Sequence, residues 1–159
     1  MFNYENRATQ QALVKIYNKK SKVKKLKNYF FLLVDSKVVV LDLLKYAEFS
    51  TLNWNVPNFV TYNKRNKREW LRAFFDCESY ISKYNIKLHS VNKEGLKKIK
   101  QMLSEFGVYS KMYKYEPKNK NWNTNYILLV AKKENMKKYL KEVGFNHTIK
   151  LKKLKEYLK

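Results

Sequence analysis

Trp70-Leu71-Arg72-Ala73-Phe74-Phe75-Asp76-Cys77-Glu78-Ser79 reads as an apolar helix whose last turn carries two carboxylates. The placement is costly, because a helix C-terminus holds the negative pole of the dipole and disfavours acids there by roughly 0.3–1 kcal/mol. An acid that stability alone would remove is a candidate for gripping something positive, such as a metal ion. The chain around it is basic: 159 residues, 35 Lys+Arg against 13 Asp+Glu, and a formal net charge of +22.

Outward toward the C-terminus, Tyr80-Ile81 and Ile86-Lys87-Leu88-His89-Ser90 read as a compact strand pair. A helix then opens at Asn92, a good N-cap, runs through Leu96, Ile99 and Leu103, and stops near Gly107, a good C-cap. Val108 to Tyr115 reads as a strand and Glu116 to Asn121 as a polar turn. Tyr126-Ile127-Leu128-Leu129-Val130 is the next strand and Glu134 to Val143 the next helix. With the acid-tipped helix, about Asn66 to Glu78, the unit is helix, hairpin, helix, hairpin, helix. Thr148 to Lys159 follows as a short basic helix with Ile149, Leu151, Leu154 and Leu158 available for docking.

Toward the N-terminus the tail of that pattern recurs. Ala12 to Asn18 alternates as a strand, the basic stretch Lys19 to Lys25 leads on as a turn, and Tyr29 to Val34 is a second strand. Asp35-Ser36 offers an N-cap, and an amphipathic helix runs from about Lys37 to Ala47. The two copies align in register: Leu32-Leu33-Val34 on Leu128-Leu129-Val130, Lys37 on Lys133, Leu44-Lys45 on Leu140-Lys141, and Phe49 on Phe145. Residues 1–50 are therefore read as a partial repeat, 51–65 as a connector interrupted by Pro57, 66–147 as a complete repeat, and 148–159 as the basic helix.

Composition narrows the partner. Low Gly and Pro content and charge spread along the chain argue against a disordered basic tail. A folded basic surface with 13 tyrosines points to nucleic acid, with phosphates neutralised by lysine and rings meeting sugars and bases. A lysine-rich compositional bias would normally raise Glu as well, and here acids are scarce. The single Cys77 excludes an internal disulfide and a cysteine zinc site. No stretch stays apolar for the roughly 18 residues of a membrane span, and no signal peptide pattern opens the chain, so a soluble, cytoplasmic protein is the expectation. His89 and His147 lack a nucleophile partner, and the three glycines form no phosphate loop.

Leu71 to Ser79 occupies nine consecutive positions that resemble the name-giving motif of the LAGLIDADG homing endonucleases, especially archaeal intron-encoded ones. Trp54-Asn55-Val56-Pro57, Lys67-Arg68-Glu69, Ser90-Val91-Asn92-Lys93-Glu94-Gly95-Leu96 and the run from Asn121 to Phe145 add to the resemblance. It implies an α+β fold, an αββαββα unit whose antiparallel sheet is concave, preceded here by a partial ββα repeat. It implies a site-specific double-stranded DNA endonuclease in which Glu78, at the eighth position, binds Mg or another divalent cation for phosphodiester hydrolysis. Asp76, at the sixth position, is carried over as a supporting catalytic and metal-site residue, and Lys132 as the lysine near the scissile phosphate. Such helices pack in pairs, and Ala73 and Cys77 are small residues four apart on one face. Because the chain holds one acid helix, cutting both strands implies a homodimer through the Asn66–Glu78 helix.

DNA contacts are expected from the sheet face opposite the helices: Lys15, Tyr17 and Lys19 in the first copy, Lys111, Tyr113 and Tyr115 in the second. The turns add Lys22, Lys24, Lys25, Lys83, Lys118, Lys120 and Trp122. Two departures stand out: Ser79 fills the ninth position, usually glycine, and the hairpin around Lys83-Tyr84-Asn85 is short. Two other readings remain open, a DNA-binding regulator that has lost cleavage and an RNA-binding intron maturase.

Overall fold

The computed structural model describes residues 22–25, 30–33, 36–48, 50–119 and 121–159. They fall in two units, Met1–Tyr46 and Ala47–Lys159. In the first, β1 (Lys22–Lys25) pairs antiparallel with β2 (Phe30–Leu33), and α1 (Lys37–Leu44) follows. Ser36 caps α1, its hydroxyl accepting the Val39 N–H.

The second unit carries the complete αββαββα order. A 3₁₀ turn (Asn58–Tyr62) leads into α2 (Lys64–Glu78), then β3 (Ser79–Ile81), β4 (Asn85–Ser90), α3 (Lys93–Glu105), β5 (Lys111–Tyr115), β6 (Asn125–Ala131), α4 (Lys133–Glu142) and α5 (Thr148–Leu158). The four strands form one antiparallel sheet in the order β3-β4-β6-β5. This is the α+β arrangement expected from the sequence.

Strand alternation sorts the sheet into two faces. Ile86, Leu88, Leu128 and Val130 face the core, with Leu71 and Phe75 of α2, Leu96, Ile99, Met102 and Leu103 of α3, Met136 and Tyr139 of α4 and Leu154 of α5. Leu71 and Phe75 lie four apart on one side of α2 and are fully buried, each burial stabilising by about 1.5–3 kcal/mol. Asn63 starts α2 by accepting the Asn66 N–H at 2.8 Å. As expected, Asn92 caps α3, and Gly107 sits just past its end at φ +67°. There the Gly107 and Val108 N–H groups return to Ser104 and Leu103 in a Schellman arrangement.

Two readings of the sequence change. The basic stretch expected as a turn holds β1: Lys22 to Lys25 pair with Leu33 to Phe30. The strand expected at residues 12–18 lies outside the described residues. Laid on the second hairpin with Leu33 at Leu129, Lys22 and Lys24 take the register positions of Lys111 and Tyr113, and the separation of paired residues is seven shorter. A net of lysines hid the strand because alternation on an edge strand survives with a single apolar residue, Val23.

The second change concerns the expected connector, which packs as part of the second unit. The Trp54 indole lies over Gly95, where any Cβ would stand 2.5 Å from the ring. Its ring also meets Phe74 at 5.0 Å, its Nε1 donates to Ser90 Oγ, and its carbonyl accepts from Asn92 Nδ2. A large aromatic wedged on a glycine anchors the chain ahead of the 3₁₀ turn that leads into α2.

Candidate metal and nucleic-acid site

α2 delivers the two acids of its last turn, Asp76 and Glu78, to different surroundings. The Asp76 carboxylate accepts the backbone N–H groups of Asn146 at 3.1 Å and His147 at 3.0 Å, just ahead of α5. In return Lys150, on α5, points its ammonium at the end of α2 and donates to the carbonyl oxygens of Phe75 at 3.1 Å and Asp76 at 2.7 Å. A cation on terminal carbonyls offsets the dipole that makes this position unfavourable for acids. The Ser79 hydroxyl caps the same turn, donating to the Phe75 carbonyl at 2.6 Å. Ser79 is in ordinary extended backbone at φ −87°, so its position does not demand glycine.

Glu78 is the contrast. It is exposed at the last residue of α2, and among the described residues its carboxylate has no hydrogen bond or ion pair. Seven of the other acids, Asp42, Glu69, Glu94, Glu105, Glu116, Glu134 and Glu142, sit against a lysine or arginine, while Glu48 and Glu156 are exposed without an ion pair among the described residues. Among the described residues Glu78 has no counter-ion, in a protein of net charge +22.

The strand register locates Glu78 on the sheet. Ser79 pairs with Leu88, which pairs with Leu128, which pairs with Met112. One residue back along β3, Glu78 is level with His89, Ile127 and Tyr113, themselves paired in sequence across the sheet. These belong to the face opposite the core, where Lys111, Tyr113 and Tyr115 are exposed as expected. Lys118 and the exposed Trp122 lie in the β5–β6 loop beyond Tyr115, at the same end of the sheet as Glu78.

Lys132 stands elsewhere. Asn85 pairs with Ala131, so Lys132 is five residue levels from Glu78, roughly 16 Å at about 3.3 Å per residue. It shares that far end with Lys83 and Lys133. Lys132 has φ +72°, the only positive value at a non-glycine among the described residues, which is a strained backbone for a side chain with a Cβ. Asn135 holds the junction from beneath, donating to the carbonyls of Ala131 and Tyr109 and accepting the Tyr109 N–H at 2.9 Å.

Ala73 and Cys77 are exposed, on a side of α2 away from Leu71 and Phe75. Lys22, Lys24 and Lys25 lie on β1, while Lys15, Tyr17, Lys19 and Lys120 lie outside the described residues. Three residues of the open face were missed by the sequence reading: Tyr80, Lys87 and His89. The alternation of Ile86 and Leu88 carried the signal, since their neighbours must point the other way. Lys153 of α5 covers the sheet edge there, its ammonium 5.3 Å from the Tyr80 ring. Lys150 had no local signal, because its partners are more than seventy residues away in sequence.

Among the described residues no group of three or more His, Cys, Asp or Glu side chains could hold a metal ion by itself. Glu78 by itself offers one carboxylate, so a hard cation held there would need water or phosphate oxygens for the rest of its shell. No helix among the described residues is long and apolar enough to cross a membrane.

An acid-tipped helix leading into a four-stranded antiparallel sheet with one open, basic and aromatic face defines a class, and comparison with known proteins agrees. Residues 65–144, just over half of the chain, match the LAGLIDADG-like domain, and the chain belongs to that family. The structure resembles the homing endonuclease I-DmoI. Mesophilic variants of it align with a TM-score of 0.65 at 15% identity, over 91% of this chain and 75% of that one. I-DmoI in complex with DNA and Mn aligns with a TM-score of 0.59 at 17% identity, over 84% of this chain and 69% of that one. At these identities the likeness is one of fold.

Sequence relatives include the replication factor C small subunit of Methanocaldococcus jannaschii, 35% identical over 92 residues, or 58% of this chain. The glutamine–fructose-6-phosphate aminotransferase of the same organism is 29% identical over 150 residues, or 90% of this chain. The chain spans only 5% and 14% of the length of these two relatives.

Proposed function

We propose that this protein is a homing-type DNA endonuclease that hydrolyses phosphodiester bonds with Glu78 as its metal-binding acid. The observation that carries this reading is the exposed carboxylate of Glu78, without a counter-ion among the described residues, beside a lysine- and tyrosine-lined sheet face. Glu48 and Glu156 are also exposed without an ion pair among the described residues, but Glu78 alone of the three stands at the end of α2, level with the open row of His89 and Tyr113. The family membership and the fold shared with I-DmoI raise its weight.

In this reading the open face lies along DNA. Lys111, Tyr113 and Tyr115 meet base edges and sugars, and Lys87 and His89 extend that row. The loop residues Lys118, Lys120 and Trp122, the hairpin lysines Lys22, Lys24 and Lys25, and Lys83 hold phosphates. Lys15, Tyr17 and Lys19, expected from the sequence to contact DNA, lie outside the described residues. A bound magnesium would lower the pKa of a water and stabilise charge on the phosphate. Glu78 supplies its carboxylate oxygens, and Asp76 and Lys150 fix the backbone from which Glu78 projects. Lys132, at the far end of the sheet, serves DNA across a subunit boundary or holds a phosphate away from the cut.

One acid serves one strand. Two copies joined through α2, with Ala73 and Cys77 at the contact, would bring two Glu78 side chains to the two scissile phosphates. Cleavage of a randomised double-stranded target library in magnesium, with Glu78→Gln as the comparison, tests the reading. Cutting or nicking lost in Glu78→Gln with DNA binding retained supports it. Binding without any cut makes the protein a DNA-binding regulator, and preference for structured intron RNA makes it a maturase.

A further inference from the structure

We propose that Lys153, on α5, holds the DNA phosphate beside the one that Glu78 serves. The proposal rests on the reading of the open sheet face as a DNA surface and of Glu78 as its cutting acid. Lys150 and Lys153 lie three apart on α5, so they share a side of that helix. Together they straddle the start of β3. The Lys150 ammonium donates to the carbonyls of Phe75 and Asp76 and stands 3.5 Å from the buried Ser79 Oγ. The Lys153 ammonium, one turn on, lies 5.3 Å from the Tyr80 ring and 5.8 Å from the Tyr157 ring. Tyr80 is exposed on the open face, so the first lysine serves the closed side of β3 and the second its open side.

The two ammonium groups are used differently. Lys150 spends its donors on backbone carbonyls that end α2. Lys153 has three N–H donors and, among the described residues, neither a hydrogen bond nor an ion pair. Ring faces attract its charge without supplying an anionic oxygen. They also order a long side chain in advance, which lowers the entropy lost when its donors meet an acceptor. A phosphate supplies the missing oxygens.

Register puts Lys153 next to the acid. Tyr80 follows Glu78 by two residues, roughly 7 Å of strand. Tyr80 pairs with Lys87, Lys87 with Leu129, and Leu129 with Lys111. Lys153 therefore extends that row past the β3 edge, and Lys153, Lys87 and Lys111 form a basic track one row from Glu78. Lys132, the lysine expected there from the sequence, stands five levels from Glu78.

The test titrates a labelled double-stranded oligonucleotide at stepped salt and follows single-turnover cleavage in magnesium at saturating protein. Lys153→Gln should reduce the slope of log affinity against log salt by about 1. It should also slow cleavage about tenfold or more. Lys153→Arg, which keeps the charge and donors, should retain both. Lys152→Gln, beside Thr148 and Lys155 on α5, is the control for net charge and should leave the slope unchanged. An unchanged slope in Lys153→Gln overturns the proposal and leaves the lysine as a guard of the sheet edge. An equal fall in Lys152→Gln overturns it too, as does a reduced slope with unchanged cleavage, which places the phosphate away from the cut. A parent chain that binds without cutting defeats the endonuclease reading, while a slope lowered by Lys153→Gln and restored by Lys153→Arg still supports the phosphate contact.

Discussion

Lys150 and Asp76 hold each other's helices: the Lys150 ammonium donates to the Asp76 carbonyl at 2.7 Å, and the Asp76 carboxylate caps the turn that starts the helix bearing Lys150. The clasp explains why an acid tolerates the C-terminal turn of α2. Asp76 gains two backbone donors, and the negative end of the helix gains a cation. The cost that made both acids suspicious in the sequence is therefore met for Asp76 by structure, and stands only for Glu78.

The two acids should separate in stability measurements. Asp76→Ala leaves the Asn146 and His147 N–H groups without their acceptor and should destabilise the fold by about 1–3 kcal/mol in chemical denaturation. Glu78→Gln removes a carboxylate from the negative end of a helix and should leave stability equal or slightly raised. Equal losses for both would mean that Glu78 is structural after all.

Lys132 carries strain that glycine would relieve. Lys132→Gly should leave stability unchanged or raise it by up to about 1 kcal/mol, because φ +72° costs glycine little. If Lys132 contacts phosphate, DNA binding should weaken in the same variant. A thermal melt alongside a binding titration checks both, and a lower melting temperature would contradict the strain.

Tyr139 gives the fold an alkaline limit. Burial, with Asp76's charge adding to it, raises its phenol well above the ordinary value, against a smaller opposing effect of Arg72. The unfolded chain then loses this proton at lower pH than the folded one. Stability from this group is complete below about pH 10 and falls as pH climbs toward the folded value. Tyr139→Phe, which forfeits the hydroxyl's bond to the Gly144 carbonyl, should start slightly less stable at neutral pH yet lose less between pH 10 and higher values. Urea denaturation across that range reads the difference in slope.

The open face should behave as a phosphate and base reader. Lys111→Ala is expected to weaken DNA binding and, if Lys111 neutralises one phosphate, to reduce the slope of log affinity against log salt by about 1. Tyr113→Ala should weaken binding with the slope unchanged, since a ring carries no counterion. An identical salt slope in Lys111→Ala would remove Lys111 from the phosphate contacts.

Much of this arrangement could be read from local sequence. The apolar spacing of Leu71 and Phe75, the Asn92 cap, the Gly107 stop and the alternation in β6 are rules that act within a few residues, and each element fell close to its expected place. β1 was misplaced because lysine carries no burial signal, and only pairing with Phe30–Leu33 identifies it as a strand.

By itself, then, the sequence determined the order of helices and strands in the second unit, the basic open face and the candidacy of Glu78, because periodicity, capping and charge are properties of neighbouring residues. The tertiary structure alone decided that Asp76 belongs to a helix clasp, that Lys150 completes it, and that Lys132 lies five strand levels from Glu78. Those facts depend on groups brought together from distant parts of the chain, and no local rule encodes the meeting of residue 76 with residue 150.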